Sequence, residues 1–365
     1  MERKMKKERV VVAMSGGVDS SLAAALLQER GYDVVGVTMR LSAENRDAPS
    51  NDRSCCSLSS VDDARRVADV LGIPHYIMDF TEPFQHAVID YFFNEYLHGR
   101  TPNPCIACNR FIKFEGLLHK SKELGASYIA TGHYARIDHG KDGTYRLRKG
   151  LDLEKDQSYV LYHMNQEILA HVLLPLGVFS KHETRRMAEQ YHLPVAYKAE
   201  SQEICFVPRD DYKSYLREKR PESCCPGNIV DRAGNVLGTH EGIAFYTIGQ
   251  RKGLGIAATQ PLYVTALDTL HNSVVVGTAN EVYARGLTAS DLNWTMAIAL
   301  DNPRTVQAKI RYGKRSASAT ITSHKDGEVH VLFSEPQRAV TPGQSIVFYE
   351  DDVVLGGGII DQMIV

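Results

Sequence analysis

The feature that most constrains this chain is a glycine-containing loop between a buried strand and a helix. The loop reads SGGVDS from Ser15 to Ser20; it follows the apolar run Val10–Val12 and precedes an apolar stretch that Gly31 ends. Glycines let the backbone approach an anion, and loop amides and the helix N-terminus supply positive potential. The loop lacks the lysine of a Walker loop and the spacing of a dinucleotide-binding loop. The pattern therefore predicts a nucleotide-phosphate site in an α/β domain.

The succession of strand-like, helix-like and glycine-rich segments divides the chain into three parts. Strand-like and helix-like segments alternate in the first half, which predicts a doubly wound, mostly parallel sheet with helices on both faces. After about residue 210 the segments become short and rich in glycine, and from residue 287 onward short strands succeed one another. We therefore predict an α/β domain over 1–210, a small β-rich central domain over 211–286 and a C-terminal β-barrel over 287–365.

Composition adds few constraints. The chain has 365 residues and a formal net charge of −2, which neither indicates nor excludes a nucleic-acid partner. It contains no apolar stretch of the length needed to span a bilayer and no apolar signal-peptide core. The odd number of cysteines, seven, is typical of reduced thiols. The sequence thus predicts a cytoplasmic protein without a membrane partner.

Three of the cysteines form the second chemical signal. Cys105 and Cys108 stand at Cys-x-x-Cys spacing in TPNPCIACN, which we interpret as a proline-stiffened loop followed by a helix beginning near Phe111. Cys205 lies far along the chain in SQEICF. Thiols close to a helix N-terminus are better populated as nucleophilic thiolates. Buried structural cysteines are the alternative interpretation.

The SGGVDS loop resembles the PP-loop of ATP pyrophosphatases, which cleave ATP between the α- and β-phosphates. Over nearly its full length the chain also resembles the bacterial-type tRNA-specific 2-thiouridylases. The segments that carry this resemblance occur in the same order, at Ala13–Ser21, Gly99–Phe114 (GRTPNPCIACNRFIKF), Tyr128–Tyr134 (YIATGHY), Leu153–Leu161 (LEKDQSYVL), Tyr246–Ile256 (YTIGQRKGLGI) and Thr341–Tyr349 (TPGQSIVFY).

The resemblance implies a tRNA-uridine 2-sulfurtransferase that requires ATP and Mg²⁺. Such an enzyme adenylates O2 of the wobble uridine in the tRNAs for lysine, glutamate and glutamine, and then replaces that oxygen with sulfur. The products are 2-thiouridine, AMP and pyrophosphate. The residues implied to bind ATP are Ala13, Met14, Ser15, Gly16, Gly17, Val18, Asp19, Ser20, Met39 and Gly132.

The resemblance also implies a tRNA site that receives the anticodon stem-loop, with the central domain in contact with the tRNA. Because a monomer can grip a tRNA, we expect the chain to act as a monomer. Stacked bases cannot be modified, so the uridine must be splayed into a pocket. The implied tRNA contacts are Asn103, Pro104, Cys105, His133, Lys155, Asp156, Gln157, Arg311, Tyr312 and Gln344.

Two routes for sulfur stay open at this point. By resemblance, Cys205 carries the sulfur as a persulfide, and Cys108 releases it by forming a disulfide with Cys205. The usual family pattern has an aspartate at the position of Cys105. Cys105, Cys108 and Cys205 together could instead hold a [4Fe-4S] cluster with one iron open to sulfide. The donor is accordingly a persulfide carrier protein or free sulfide.

Two other functional classes are compatible with parts of the pattern. A PP-loop ligase acting on a small molecule, such as an amidating synthetase, would use the phosphate loop but would need neither Cys108 nor Cys205. A non-catalytic RNA-binding protein would leave the phosphate loop without a role.

Overall fold

The computed structural model describes residues 7–42, 58–199, 204–298, 300–324 and 327–364. Cys55 and Cys56 therefore lie outside the described residues. The chain divides into two compact units. The first comprises residues 1–88, 105–210 and 352–354, and the second comprises residues 89–104, 211–351 and 355–365.

The helices follow in chain order and include two π-helical stretches, each continuous with a helical neighbour. They are α1 (Val18–Glu29), α2 (Leu58–Leu71), α3 (Thr81–Phe84, continued by the π-helix Gln85–Asp90), α4 (Tyr91–Leu97), α5 (Pro104–Ala107, continued by the π-helix Cys108–Gly116), α6 (Leu117–Glu123), α7 (Gln166–Leu169), α8 (Lys181–Gln190) and α9 (Tyr212–Lys219). None of the helices in the described ranges combines the length and the hydropathy of a membrane-spanning segment.

The first unit is built on a parallel sheet. Its strands are β1 (Arg9–Ala13), β2 (Asp33–Arg40), β3 (His75–Asp79), β4 (Tyr128–Ala130) and β7 (Val172–Leu173). An antiparallel hairpin of β5 (Ala135–His139) and β6 (Tyr145–Lys149) lies outside this sheet, and its Arg148 pairs with Val353. The sheet order is β3-β2-β1-β4-β7, and every neighbouring pair is parallel. The order reverses between β1 and β4, which is where ligands bind in open α/β sheets.

The core of this unit explains why β1 is central. Val10, Val11 and Val12 are fully buried because helices cover both faces of the sheet. The apolar side of α1, including Leu22 and Leu27, packs on the same core as Val10 and Val12. The predicted doubly wound parallel sheet is confirmed.

The second unit contains two β structures. A four-stranded sheet in the order β10-β11-β8-β9 comprises β8 (Gly227–Val230), β9 (Val236–His240), β10 (Tyr263–Asp268) and β11 (Ser273–Gly277). A six-stranded barrel comprises β12 (Tyr283–Trp294), β13 (Arg304–Lys309), β14 (Ala317–Ser323), β15 (Val329–Arg338), β16 (Ser345–Glu350) and β17 (Val353–Ile364). Pairing of β12 with both β15 and β17 closes the barrel. The predicted central β-rich part and C-terminal barrel are confirmed.

The predicted loop around the Cys-x-x-Cys pair is wrong. A helix begins at Pro104 rather than near Phe111, so Cys105 lies in α5 and Cys108 opens the following π-helix. Proline is favoured at the first helical position, because its fixed φ suits the helix and its missing N–H would have no intrahelical partner there.

Candidate active site

The SGGVDS loop lies at the carboxyl end of β1 and is held by its own hydroxyl groups. The Ser15 amide donates to Ser20 Oγ at 3.1 Å, and the Ser21 hydroxyl donates to the Gly17 carbonyl at 2.8 Å. Gly16 has a φ of +69°, and a Cβ added there would lie 2.2 Å from the Ser60 carbonyl oxygen. The loop is therefore fixed before any ligand binds, with α1 starting directly behind it.

Gly132 packs directly on this loop from the end of β4. A Cβ at Gly132 would lie 2.7 Å from both the Asp19 carbonyl carbon and the Ser20 amide nitrogen. Because β1 and β4 are parallel neighbours, their carboxyl ends meet at the same edge of the sheet. The structure thus brings Gly132 together with the predicted loop residues.

The other predicted ATP-binding residues follow β1 or lie near the end of β2. Ala13, Met14, Val18 and Ser20 are buried, and Ser15 is exposed. The Thr38 hydroxyl donates to the Met14 carbonyl at 2.8 Å, which ties the ends of β1 and β2. Met39 is the next residue of β2 and is half-buried.

A charged cluster that the sequence analysis missed surrounds Asp19. Lys181 Nζ lies 2.7 and 2.8 Å from the two carboxylate oxygens of Asp19, and the Tyr134 hydroxyl donates to the same carboxylate at 2.8 Å. The backbone amide of Lys181 donates to Asp152 at 3.0 Å. The Lys181 side chain is 11% exposed. Lys181 comes to the loop because the Ser180–Glu183 capping box starts α8 at this point.

A second lysine also approaches the loop. Lys198 Nζ donates to the Gly16 carbonyl at 3.2 Å and to Asp63 at 2.5 Å. Two ammonium groups therefore lie at the phosphate loop: Lys198 contacts Gly16, just before Gly17, and Lys181 contacts Asp19, two residues after it. An arrangement of fixed amides and cations is suited to binding a polyphosphate and to stabilising charge that develops on it.

The segment after β4 is hydrogen-bonded to the motif Asp156–Ser158, which reads DQS. The Tyr134 amide donates to Gln157 Oε1, and the Gln157 amide donates to the Tyr134 carbonyl, both at 2.9 Å. Asp156 is 6% exposed and accepts from the amides of Gly150 and Ser158. Of the predicted tRNA contacts in this motif, Asp156 and Gln157 thus have well-defined partners within the protein, and Lys155 is half-buried beside them.

His133 is half-buried next to this segment. Its Nδ1 lies 2.8 Å from the Thr131 hydroxyl, and its ring lies 5.9 Å from the Phe114 ring. Burial, and then the neighbouring positive charge of Lys113, hold the pKa of His133 well below its usual value. His133 is therefore a neutral imidazole at physiological pH, able to hydrogen-bond but carrying no charge for a phosphate.

The three predicted sulfur-handling cysteines differ in exposure. Cys105 is exposed, Cys108 is buried and Cys205 is half-buried. Across the described ranges, no group of three or more His, Cys, Asp or Glu side chains is arranged to hold a metal ion. The structure therefore does not assemble Cys105, Cys108 and Cys205 into a ligand set for an iron–sulfur cluster.

The remaining predicted tRNA contacts belong to the second unit. Asn103 and Pro104 immediately precede Cys105, and Tyr312 is exposed in the turn after β13. Arg311 donates to the Thr341 hydroxyl at 2.6 Å, and the Gln344 amide donates to the Thr101 and Pro102 carbonyls at 2.9 and 3.2 Å. Arg311 and Gln344 thus both contact other parts of this unit.

Comparison with sequence families matches the chain in three consecutive segments. Residues 8–209 match the tRNA methyl transferase HUP domain. Residues 213–278 match the tRNA methyl transferase PRC-barrel domain, and residues 284–360 match the aminomethyltransferase beta-barrel domain.

Comparison with curated proteins finds relatives that match from end to end. The chain is 56% identical to the tRNA-specific 2-thiouridylase MnmA of Heliobacterium modesticaldum, over 97% of this chain and 92% of that protein. It is 53% identical to the protein of that name from Moorella thermoacetica, over 97% and 99%. It is 51% identical to the one from Clostridium perfringens, over 99% and 100%.

Proposed function

This chain belongs to the family of tRNA-specific 2-thiouridylases, and on that premise we propose that it is a tRNA-uridine 2-sulfurtransferase. It uses ATP to adenylate O2 of the wobble uridine in the tRNAs for lysine, glutamate and glutamine, and it then replaces that oxygen with sulfur. It acts as a monomer, with domains over 1–210, 211–286 and 287–365.

The observation that carries the proposal is the fixed phosphate loop with Lys181 on Asp19. Uridine O2 is a poor leaving group, so the reaction needs an activating step before sulfur can displace it. In that step, O2 attacks the α-phosphorus of ATP, the bond to the β-phosphate breaks and pyrophosphate leaves. The loop amides, the N-terminus of α1 and the ammonium groups of Lys181 and Lys198 stabilise the negative charge that moves onto the departing pyrophosphate.

The proposed ATP-binding residues contact different parts of ATP. Ser15, Gly16, Gly17 and Ser20 bind the phosphates directly, Asp19 binds them through Mg²⁺, and Ala13, Met14 and Val18 form the apolar wall behind them. Met39 and Gly132 border the nucleoside. The Asp19 carboxylate is a hard oxygen ligand that suits Mg²⁺, which when bound neutralises phosphate charge. Lys181 then exchanges its partner from Asp19 to a phosphate oxygen.

Sulfur transfer uses cysteine chemistry in this proposal, because the described cysteines do not form a cluster ligand set. The terminal sulfur of a Cys205 persulfide attacks C2 of the adenylated uridine, the C2–O bond breaks and AMP leaves. The Cys108 thiolate then attacks Cys205 Sγ and breaks the bond between Sγ and the transferred sulfur. The products are 2-thiouridine and a Cys108–Cys205 disulfide, which an external thiol reduces. A persulfide carrier protein recharges Cys205.

The uridine is held by Asn103, Pro104 and Cys105, with His133 and the Lys155–Gln157 segment in contact with the anticodon stem-loop. His133 is suited to hydrogen-bonding a neutral base because burial keeps its imidazole uncharged. Arg311, Tyr312 and Gln344 contribute from the barrel, where the lysine-flanked Tyr312 ring, 5.5 Å from Lys309 Nζ, offers a surface for stacking and phosphate binding.

The experiment that tests this function measures two products in one reaction. Protein, ATP, Mg²⁺, unmodified tRNA for glutamate and a persulfide donor are incubated, and pyrophosphate and 2-thiouridine are quantified. We expect both products in equal amounts. Cys205→Ser and Cys108→Ser should still bind ATP and tRNA but form no 2-thiouridine. The matched control is Cys224→Ser, an exposed cysteine of the second unit, which should keep full activity.

Several results would contradict the proposal. ATP cleavage without tRNA, and unaffected by Cys108→Ser or Cys205→Ser, would favour a small-molecule ligase. A methylated rather than a thiolated uridine would contradict sulfur transfer itself. Iron and sulfide that copurify with the protein, rise with its activity and disappear in Cys105→Ser would contradict the persulfide route in favour of the cluster.

A further inference from the structure

The carboxylate of Asp63 lies between two cations beside the phosphate loop. Its Oδ2 accepts from Lys198 Nζ at 2.5 Å, and its Oδ1 accepts from the Arg66 guanidinium. The same Lys198 ammonium donates to the Gly16 carbonyl at 3.2 Å. The Asp63 side chain is 13% exposed and that of Lys198 is 27% exposed, so water screens this ion pair less than it screens a surface pair. All four residues belong to the first unit.

The helix that carries Asp63 is fixed relative to the phosphate loop. Ala64 and Val67 of α2 are fully buried in the core that also contains β1. The Ser60 carbonyl oxygen approaches the loop so closely that a Cβ added at Gly16 would lie 2.2 Å from it. The α2 helix therefore holds the Asp63 carboxylate at a set distance from the loop.

The Lys198 ammonium, in contrast, reaches the loop on a long and flexible side chain. Val195 and Ala196 are buried and fix the backbone before it, but each ordered bond of the side chain costs conformational entropy. Across the described ranges, the ammonium has two acceptors, the Gly16 carbonyl and the Asp63 carboxylate. The carboxylate is the stronger acceptor because it carries a charge. Asp63 is therefore the group that keeps the ammonium in place.

The charges of this cluster make the presence of Asp63 informative. Two cations, Lys198 and Arg66, and one carboxylate leave one net positive charge beside Gly16, which is favourable for a phosphate. The carboxylate alone would repel a phosphate at this distance. Asp63 favours phosphate binding only if its placement of Lys198 outweighs that repulsion.

We propose that Asp63 is a positioning residue for pyrophosphate binding. It holds the Lys198 ammonium at the Gly16 carbonyl, where the ammonium meets the β- and γ-phosphates of ATP and then the departing pyrophosphate. Arg66 balances the second carboxylate oxygen. The inference rests on the proposed function for the role of Lys198 and adds the residue that places it.

The test measures binding of inorganic pyrophosphate to the intact protein by calorimetry, without Mg²⁺ and without tRNA. Positioning and simple electrostatics predict opposite effects of Asp63→Asn. Loss of a negative charge beside an anion site should tighten pyrophosphate binding, whereas release of Lys198 from its place should weaken it. Asp62→Asn is the matched control, because Asp62 is the preceding residue of α2, is 64% exposed and lies 3.5 Å from Arg65.

We expect Lys198→Met to weaken pyrophosphate binding at least about tenfold, as loss of a charged hydrogen bond does. Asp63→Asn should weaken binding about fivefold, Asp63→Glu should recover part of that loss, and Asp62→Asn should not weaken binding. In the Lys198→Met protein, Asp63→Asn should weaken binding no further, because the carboxylate acts through the lysine.

Three results would overturn the proposal. Equal or tighter pyrophosphate binding in Asp63→Asn would show that Asp63 does not position the lysine. A loss of the same size with and without Lys198 would show that Asp63 acts on the loop by another route. Unchanged binding in Lys198→Met would refute the role of Lys198 itself. Thiolation is assayed separately: a protein that shows the expected pyrophosphate affinities but thiolates no tRNA refutes the proposed function and still supports the role of Asp63.

Discussion

Replacement of Gly132 by alanine tests whether β4 and the phosphate loop form one packed site. The added Cβ would lie 2.7 Å from the backbone of Asp19 and Ser20, where ordinary contact needs at least 3.4 Å. The loop or β4 must therefore move by about 0.7 Å, and both are backbone, which cannot rotate away. Overpacking of this kind costs about 1–3 kcal/mol of unfolding free energy. A displacement of that size in a site that aligns reacting groups should lower kcat/KM for ATP by about 10- to 100-fold.

Two measurements check this prediction. Urea unfolding gives the loss of stability, and tRNA-dependent pyrophosphate release gives kcat/KM. Gly313→Ala is the control, because no atom lies within 4 Å of its added Cβ and its backbone is not left-handed. We expect that control to fold with wild-type stability. A Gly132→Ala protein with wild-type stability and wild-type kcat/KM would refute the contact between Gly132 and the loop.

Two further predictions concern charge. Lys181→Met should lower tRNA-dependent pyrophosphate release about 100-fold with tRNA binding retained, because the lost ammonium group stabilises the charge on the departing phosphate. Lys181→Arg keeps a positive charge and should keep part of the activity. An unchanged rate in Lys181→Met would show that Lys181 has no part in the reaction. His163 is 4% exposed, and burial, followed by the positive charge of Arg110, lowers its pKa to about 3. The unfolded chain takes up this proton below about pH 6.5 and the folded protein does not, so stability falls as the pH drops through that range, by about 2 kcal/mol between pH 7 and pH 5. Urea unfolding of His163→Leu should show a smaller loss between these pH values, and an identical loss in both proteins would contradict the burial of a neutral imidazole.

Local patterns in the sequence predicted the fold and the family well. The strand, phosphate loop and first helix depend on neighbouring residues, so Val10–Val12 and SGGVDS were sufficient to predict them. The capping box that starts α8 is equally local, because it joins Ser180 to Glu183, three residues further along the chain. The predicted membership of the 2-thiouridylase family is confirmed by relatives that are 51% and 56% identical over 99% and 97% of the chain.

Features that depend on distant contacts were not predicted. Lys181 and Asp19 are 162 residues apart, and no sequence periodicity indicates that they meet. The hairpin of β5 and β6 was missed because its strands are charged and half-exposed. The helix at Cys105 was predictable, since Pro104 is a helix-start signal. Its continuation as a π-helix was not predictable, because the change to hydrogen bonds between residues i and i+5 depends on tertiary packing. The individual ATP and tRNA contacts stay predictions.

The assignment of residues 89–104 to the second unit has a consequence for how this chain acquires its structure. Phe93 stacks on Tyr215 with ring centroids 5.4 Å apart, and Tyr96 stacks on Tyr212 at 4.9 Å. Arg220 lies over the Phe93 ring and pairs with Asp90. During synthesis, more than a hundred further residues must be added after α4 before its partners Tyr212 and Tyr215 are made. Loop closure over that distance carries an entropic cost. The parallel sheet of the first unit, which ends at Leu173, can therefore form while α4 still lacks its aromatic partners, and premature contacts of that apolar face are a route to misassembly.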